Sequence, residues 1–452
     1  MADTNDPYVL SPQKIRNPPD HFRGRLKFLG PSFILSASIV GSGELIATTT
    51  LGAKAGFITF WVIIVSCIVK VAVQLEFGKH TILTGETAMQ AFNQLPGPKF
   101  GKAKWSVWMV LLVMIIKLLQ VGGIVGGVAI ILNILAPGIG IPFYAFLIAI
   151  VVALMVFRGY YHFIEKFSLG MIGLFTLFTF ASLYFLAYTP YQISWDDIWS
   201  GLQFNLPREA LAVAFGAFGI TGVGGDEIIH YNYWCLEKGY AAYSGKNDGS
   251  PAWHNRAAGW IRVMKLDAII AMLVYTTVTA AFYLLGAAIL HAQGDVPEGY
   301  AMVETLSAMY TESLGPHAKT AFLIGAFVTL FSTLFAALAA WSRQISDIFG
   351  QLGWINFDNY TIRKKTIAIL AWVIPLLWAA LFIYVQLPVL MVITGGIVGS
   401  FLLFLVVYAV LHFRYKRLQP LFKPGILYDF VLWISILSII AVGALGIIKL
   451  FS

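Results

Sequence analysis

Apolar stretches of about 20 residues recur along this chain from Phe28 to Ile447, and about that length of helix is needed to cross the hydrocarbon core of a bilayer. Eleven spans are expected, at 30 to 52, 57 to 78, 105 to 135, 142 to 157, 168 to 188, 210 to 235, 262 to 291, 320 to 342, 366 to 385, 387 to 412 and 426 to 450. Backbone amides and carbonyls in lipid must be satisfied within their own segment, and the alternation of a membrane barrel is nowhere visible. The spans are therefore helices and the chain is an all-α membrane protein. Composition agrees, since 59% of the 452 residues are hydrophobic and 12% are charged, whereas about a quarter of a soluble domain is charged.

Residues 1–27 are polar, with Pro18, Pro19 and several charges, and lack the apolar core and cleavage site of a signal peptide. They read as a soluble tail. The net charge of +8 does not point to nucleic acid, because most of the 30 lysines and arginines fall on one set of alternate loops. The positive-inside rule then puts the amino terminus in the cytoplasm and the carboxyl terminus outside; the expected location is a bacterial-type inner (plasma) membrane. Cys67 and Cys235 form neither a disulfide framework nor a metal-ligand spacing. Ser194 to Asp197 matches a capping box, and with Trp195, Trp199 and Leu202 it predicts a short interfacial helix. The Gly245-Lys246 pair lacks the spacing and preceding strand of a phosphate loop and reads as a solvated turn.

The feature that speaks to function is an internal echo. The first span is interrupted as Gly41-Ser42-Gly43-Glu44-Leu45-Ile46, and the sixth as Gly222-Val223-Gly224-Gly225-Asp226-Glu227-Ile228-Ile229. Two such breaks five spans apart enter the membrane from opposite sides, which is an inverted repeat, and paired glycine-broken helices mark the central site of secondary transporters. The expected organisation is a tail (1–27), a first five-helix repeat (28–189), an inverted second repeat (190–413) and an eleventh transmembrane helix (414–452), with helices 1 and 6 broken.

Glycines weaken a helix and allow it to unwind, which frees carbonyls and amides to bind a solute; they also permit close helix packing. Gly41, Ser42, Gly43, Glu44, Gly222, Gly224, Gly225, Asp226 and Glu227 form the candidate substrate-binding set. A carboxylate at mid-span costs about 3 kcal/mol on insertion scales and normally faces a cavity, a cation or a partner, so Glu44 and Glu227 are the candidate metal ligands. A static pair with Lys70 or Lys117 is the alternative. Asp226 and His230, four residues apart, share a helix face and suit either proton handling or a structural hydrogen bond. Lys70, Lys117, His230 and Asp267 are the candidates for a coupling or proton path, although Asp267 near a span end also fits an interfacial charge.

The chain resembles the NRAMP divalent-metal transporters over nearly its whole length. The resemblance lies in Gly30-Pro31, in Leu83-Thr84-Gly85-Glu86-Thr87-Ala88, in the run from Gly126 to Asn133, in Phe163-Ile164-Glu165-Lys166, and in Ser332-Thr333 followed by Gln344 and Phe349. It implies the LeuT-like fold, alternating access, a site between the first and sixth spans, and metal and proton co-transport. The sequence departs from the family at the site itself. The family's first-span Asp-Pro-Gly-Asn falls on Gly41-Ser42-Gly43-Glu44, its sixth-span Met-Pro-His-Asn on Gly224-Gly225-Asp226-Glu227, and third-span acids on Gln120 and Gly123. With the thioether gone, carboxylates and carbonyls favour a hard ion such as Mg²⁺ or Mn²⁺.

The expectation is a secondary transporter of a divalent cation. Its rival is a carrier of an amino acid or other small organic solute, whose carboxylate the Gly41-Ser42-Gly43 turn would hold as in the amino-acid/polyamine/organocation superfamily. No H-E-x-x-H or comparable catalytic arrangement points to an enzyme, and no cofactor is expected.

Overall fold

The computed structural model describes residues 6–158 and 161–451; within them the side chains of Ala37, Ser42, 161–169, 171–172 and 447–451 are outside the described set, and with them the Ser42 side chain and the 163–166 motif. The membrane helices are α1 (Pro31–Ile39), α2 (Thr49–Ala55, continuing a π-helical Ser42–Thr48), α3 (Phe60–Thr84), α4 (Trp105–Leu135), α5 (Ile141–Arg158), α6 (Tyr161–Phe185), α7 (Leu211–Ile220), α8 (Gly225–Lys238), α9 (Pro251–Leu285), α10 (Ala318–Leu352), α11 (Tyr360–Val385), α12 (Pro388–His412) and α13 (Ile426–Phe451). They coincide with the eleven expected spans, two of which are split, as α1/α2 and α7/α8. Among the described residues, nine helices are by themselves long and apolar enough to cross a membrane. One of the nine, Gly43–Thr84, contains parts of two expected spans joined at Gly56, and α6 is only partly within the described set.

Local chemistry sets the ends. Pro31 occupies the first turn of α1, where the missing N–H is not needed. Ser250 caps α9 by accepting from Trp253 N, with Pro251 next. That pair starts the helix well before residue 262, the expected start of the seventh span. Ser194 and Asp197 form the expected capping box of Trp195–Ser200, whose Trp195 is 87% exposed. Gly85 ends α3 at φ 71°. The Glu86 carboxylate that follows takes both terminal nitrogens of Arg417 at 2.8 Å, with His80 and Gln94 beside it. Burial pushes that carboxyl up, but these hydrogen bonds win and hold it well below the usual carboxylate range.

Burial orders the helices. In the apolar stretch of Arg208–Lys238, 94% is buried inside the protein, against 28% for Ile426–Gly446. The broken sixth span is therefore the axis of the molecule and α13 lies at its rim. α4 packs along α12, α10 and α11, and α7 lies against α12, so one wall of the centre is α4 with α10 and the other is the pair of broken helices.

Candidate functional site

The first break begins where α1 ends. Val40 leaves helical geometry at ψ 54° and Gly41 follows at φ −140°, ψ −109°. A side chain on Gly41 would run into Thr333 of α10, so glycine is required there by close approach. The chain then resumes as a π-helix, with Leu45 N donating to Gly41 O at 2.9 Å.

At the second break α7 ends at Ile220, and Gly222 takes φ +61°, a conformation that an L-residue adopts at a cost of roughly 1–2 kcal/mol. A Cβ there would also lie 2.9 Å from the Cys67 Cα. Unwinding strips the last carbonyls of α7 of their partners. Lys70 supplies them: its Nζ, fully buried, donates to Phe218 O at 2.7 Å and Thr221 O at 2.6 Å, and Ser66 Oγ reaches the same two oxygens at 3.1 Å. A cation at the carbonyl end of a half-helix is favoured by its dipole. Lys70 thus holds the break together and pairs with neither glutamate.

α8 restarts at Gly225, so Asp226 and Glu227 stand in its first turn, where the positive end of the helix favours acid groups. Asp226 pairs with Lys117 of α4, both buried. Between the breaks and the α4/α10 wall lies a cavity of about 20 Å³ lined by, among others, Ser38, Gly43, Gln120, Asp226, Glu227 and His230. Among the described residues, Gln120 Oε1, Glu227 Oε2 and His230 Nε2 are buried and have no hydrogen-bond partner. Three residues that each carry an unpartnered buried polar atom therefore line one small space, Gln120 with its side chain also packed against Gly395 of α12 and His230 beside Gln344, and a volume just above 10–15 Å³ holds about one water-sized species. The carbonyl end of α1, at Ser38 and Ile39, borders the same space and adds negative potential.

The structure places two of the candidate residues outside this lining. Glu44 does not share this cavity with Glu227. It is fully buried, its Oε1 accepts from Thr279 Oγ1 of α9 at 2.9 Å, and it is not among the lining residues. Gly43 takes the cavity face, and adjacent helical residues point about 100° apart, which turns Glu44 toward α9. Asp267 also stands apart from the breaks. With α9 starting at Pro251, it sits several turns into the helix, where Oδ1 accepts from Gly30 N and Oδ2 from Ser32 N, each at 2.7 Å. It caps α1. Among the described residues, no three His, Cys, Asp or Glu side chains gather as a metal cluster; Gln120 lines the cavity beside Glu227 and His230. Sequence reasoning noted Gln120 only as a lost acid, and it passed over Ser66, whose spacing of four from Lys70 is the signal that both serve one helix end.

The profile of the natural resistance-associated macrophage protein-like family (Nramp) matches residues 32–449. A divalent metal cation transporter MntH of Bacillus subtilis is 35% identical over 78 residues, 17% of this chain and 18% of that protein. Another, from Caldanaerobacter subterraneus, is 23% identical over 314 residues, 68% of each. Among solved structures, a manganese transporter of Eremococcus coleocola superposes with a TM-score of 0.55 at 16% identity, covering 96% of this chain and 97% of that one. MhsT in complex with L-phenylalanine gives 0.57 at 16%, over 95% of this chain and all of that one. The fold is LeuT-like.

Proposed function

We propose, from the premise that this chain belongs to the Nramp family, that it is a secondary transporter moving a divalent metal cation across the membrane by alternating access. The observation that carries this reading is that Gln120, Glu227 and His230, each with an unpartnered buried polar atom, line a space with room for one water-sized species. A bare cation fits such a space and an amino acid does not. Glu227 supplies the charge, Gln120 an oxygen and His230 a nitrogen. Asp226, paired with Lys117, lends its charge to the wall.

Oxygen donors suit hard ions and a single imidazole suits transition metals, so Mn²⁺ ranks ahead of Mg²⁺ and both ahead of softer metals. Of the four residues expected on a coupling path, Lys117 and His230 stand at or beside the cavity, and proton coupling is assigned to them. The amino-terminal face is the cytoplasmic one by the distribution of basic residues. Purified protein in liposomes tests the reading. Mn²⁺ uptake should exceed Mg²⁺ uptake and should rise with an inward proton gradient. Absence of both fluxes, with thermal stabilisation by an amino acid instead, would replace the cation with an organic solute.

A further inference from the structure

The amino-terminal segment is not a free tail. Asp6 is 3% exposed, and its carboxylate meets the buried Arg363 of α11 at 2.5 Å. Tyr8 lies under the same guanidinium, 4.8 Å from ring centroid to Cζ, and its hydroxyl donates to Glu237 at the end of α8 at 3.0 Å. Glu237 is in turn held by Arg343 of α10. Further along, Arg16 N donates to Tyr243 O at 3.1 Å and Arg16 O accepts from Trp260 Nε1 of α9 at 3.0 Å. The segment is thus pinned at both ends across the cytoplasmic ends of α8, α9, α10 and α11.

The placement of those anchors matters. The cavity lies between the broken helices and the α4/α10 wall, and α8 and α10, which both line it, pack together along a seam that leads from it to the amino-terminal face. Gln344, fully buried, is three residues from Trp341 and seven from Ala337, so it continues the cavity-lining face of α10 toward that end. Asp6 and Tyr8 lie at the end of this seam, with Asp6 on Arg363 of α11 and Tyr8 on Glu237 of α8, which Arg343 of α10 also holds. At the opposite face a cavity of about 430 Å³ reaches in beside Thr50 of α2 and Val213 of α7. On the amino-terminal side the continuing lining residue Gln344 is fully buried, and that is the side the segment crosses.

We propose that residues 6–18 form a latch that holds the amino-terminal side of the transport path shut, and that opening this side requires Asp6 to leave Arg363 and Tyr8 to leave Glu237. Opening on that side moves α8 away from α10 and α11, which the two contacts oppose directly. The latch therefore sets how much of the protein rests inward-open without touching the cation. It acts on the resting equilibrium whatever the cargo.

The test reads access rather than transport, so it stands apart from the identity of the substrate. A cysteine is placed at Gln344 (Q344C) in the full-length protein, and its reaction with a charged methanethiosulfonate is timed; the protein without it gives the background from the two native cysteines, both buried. In Asp6→Asn and in Tyr8→Phe the reaction should run several-fold faster, about fivefold for the loss of one typical hydrogen bond. The charge-swapped pair Asp6→Arg with Arg363→Asp should return it toward the starting rate. Unchanged labelling in both single variants, even with a lowered melting temperature, would overturn the proposal and leave the segment as packing alone.

Discussion

The two breaks share a sequence pattern, glycines and then a glutamate followed by two aliphatics, yet the structure uses their glutamates differently. At the second break Glu227 lies in the first turn of α8, faces the cavity and keeps one oxygen unpartnered among the described residues. At the first break Glu44 also keeps one oxygen unpartnered among those residues, but it turns to α9, rests on Thr279 and does not line the cavity. Their surroundings differ as well: beside Glu227 the break is served by two lysines, Lys70 on the carbonyl end of α7 and Lys117 on Asp226, whereas Thr333 of α10 presses on Gly41. A repeated motif thus marks where a helix unwinds; the half-turn that follows decides which side chain meets the solute.

The largest effect is expected from Glu227→Gln, which removes the cavity-lining carboxylate that keeps an unpartnered oxygen among the described residues. Losing even an outer-shell partner costs a metal site 10- to 100-fold, so Mn²⁺ uptake in liposomes should fall by about 100-fold or more. Uptake within a few-fold of the original would break the comparison at its strong side. Lys117→Gln comes next, because it leaves Asp226 buried without its partner. Breaking such a pair costs roughly 3–5 kcal/mol, seen as a lowered melting temperature. Because Asp226 then becomes a second carboxylate for the cation, millimolar Mn²⁺ should recover much of the loss; a loss that Mn²⁺ does not touch would put Asp226 outside the site.

Gly222→Ala should cost about 1–2 kcal/mol through its positive φ alone, with further loss from the approach of Cys67; a melting temperature like that of the original would show that the second break relaxes readily. The smallest effect on the cation belongs to Glu44→Gln. The amide keeps an oxygen for Thr279, so apparent affinity should shift by less than about threefold, the scale of one weak hydrogen bond. A tenfold loss would place Glu44 at the cavity after all.

Much of the architecture could be read from the sequence, because lipid permits so few backbone solutions: the eleven positions follow from apolar length, and both splits from clustered glycines. Helix starts set by polar caps were less legible. Ser250-Pro251 began α9 well before its apolar stretch, and that misplacement made Asp267 look like a span-end charge when it is the cap of α1. At the site, residue identity pointed to the right segments but not to direction. Whether Glu44 or Gly43 faces the cavity depends on the π-helical turn after Gly41, and a single sequence carries no signal for that turn. Gln120 escaped notice as a cavity residue because its place there depends on α4 lying opposite α8, a contact between distant parts of the chain.

The most direct test is equilibrium binding of Mn²⁺ to purified Glu227→Gln and Glu44→Gln, measured side by side with the unaltered protein. The account predicts that binding is lost in the first and kept nearly unchanged in the second. Equal losses in both, or loss in Glu44→Gln alone, would contradict it.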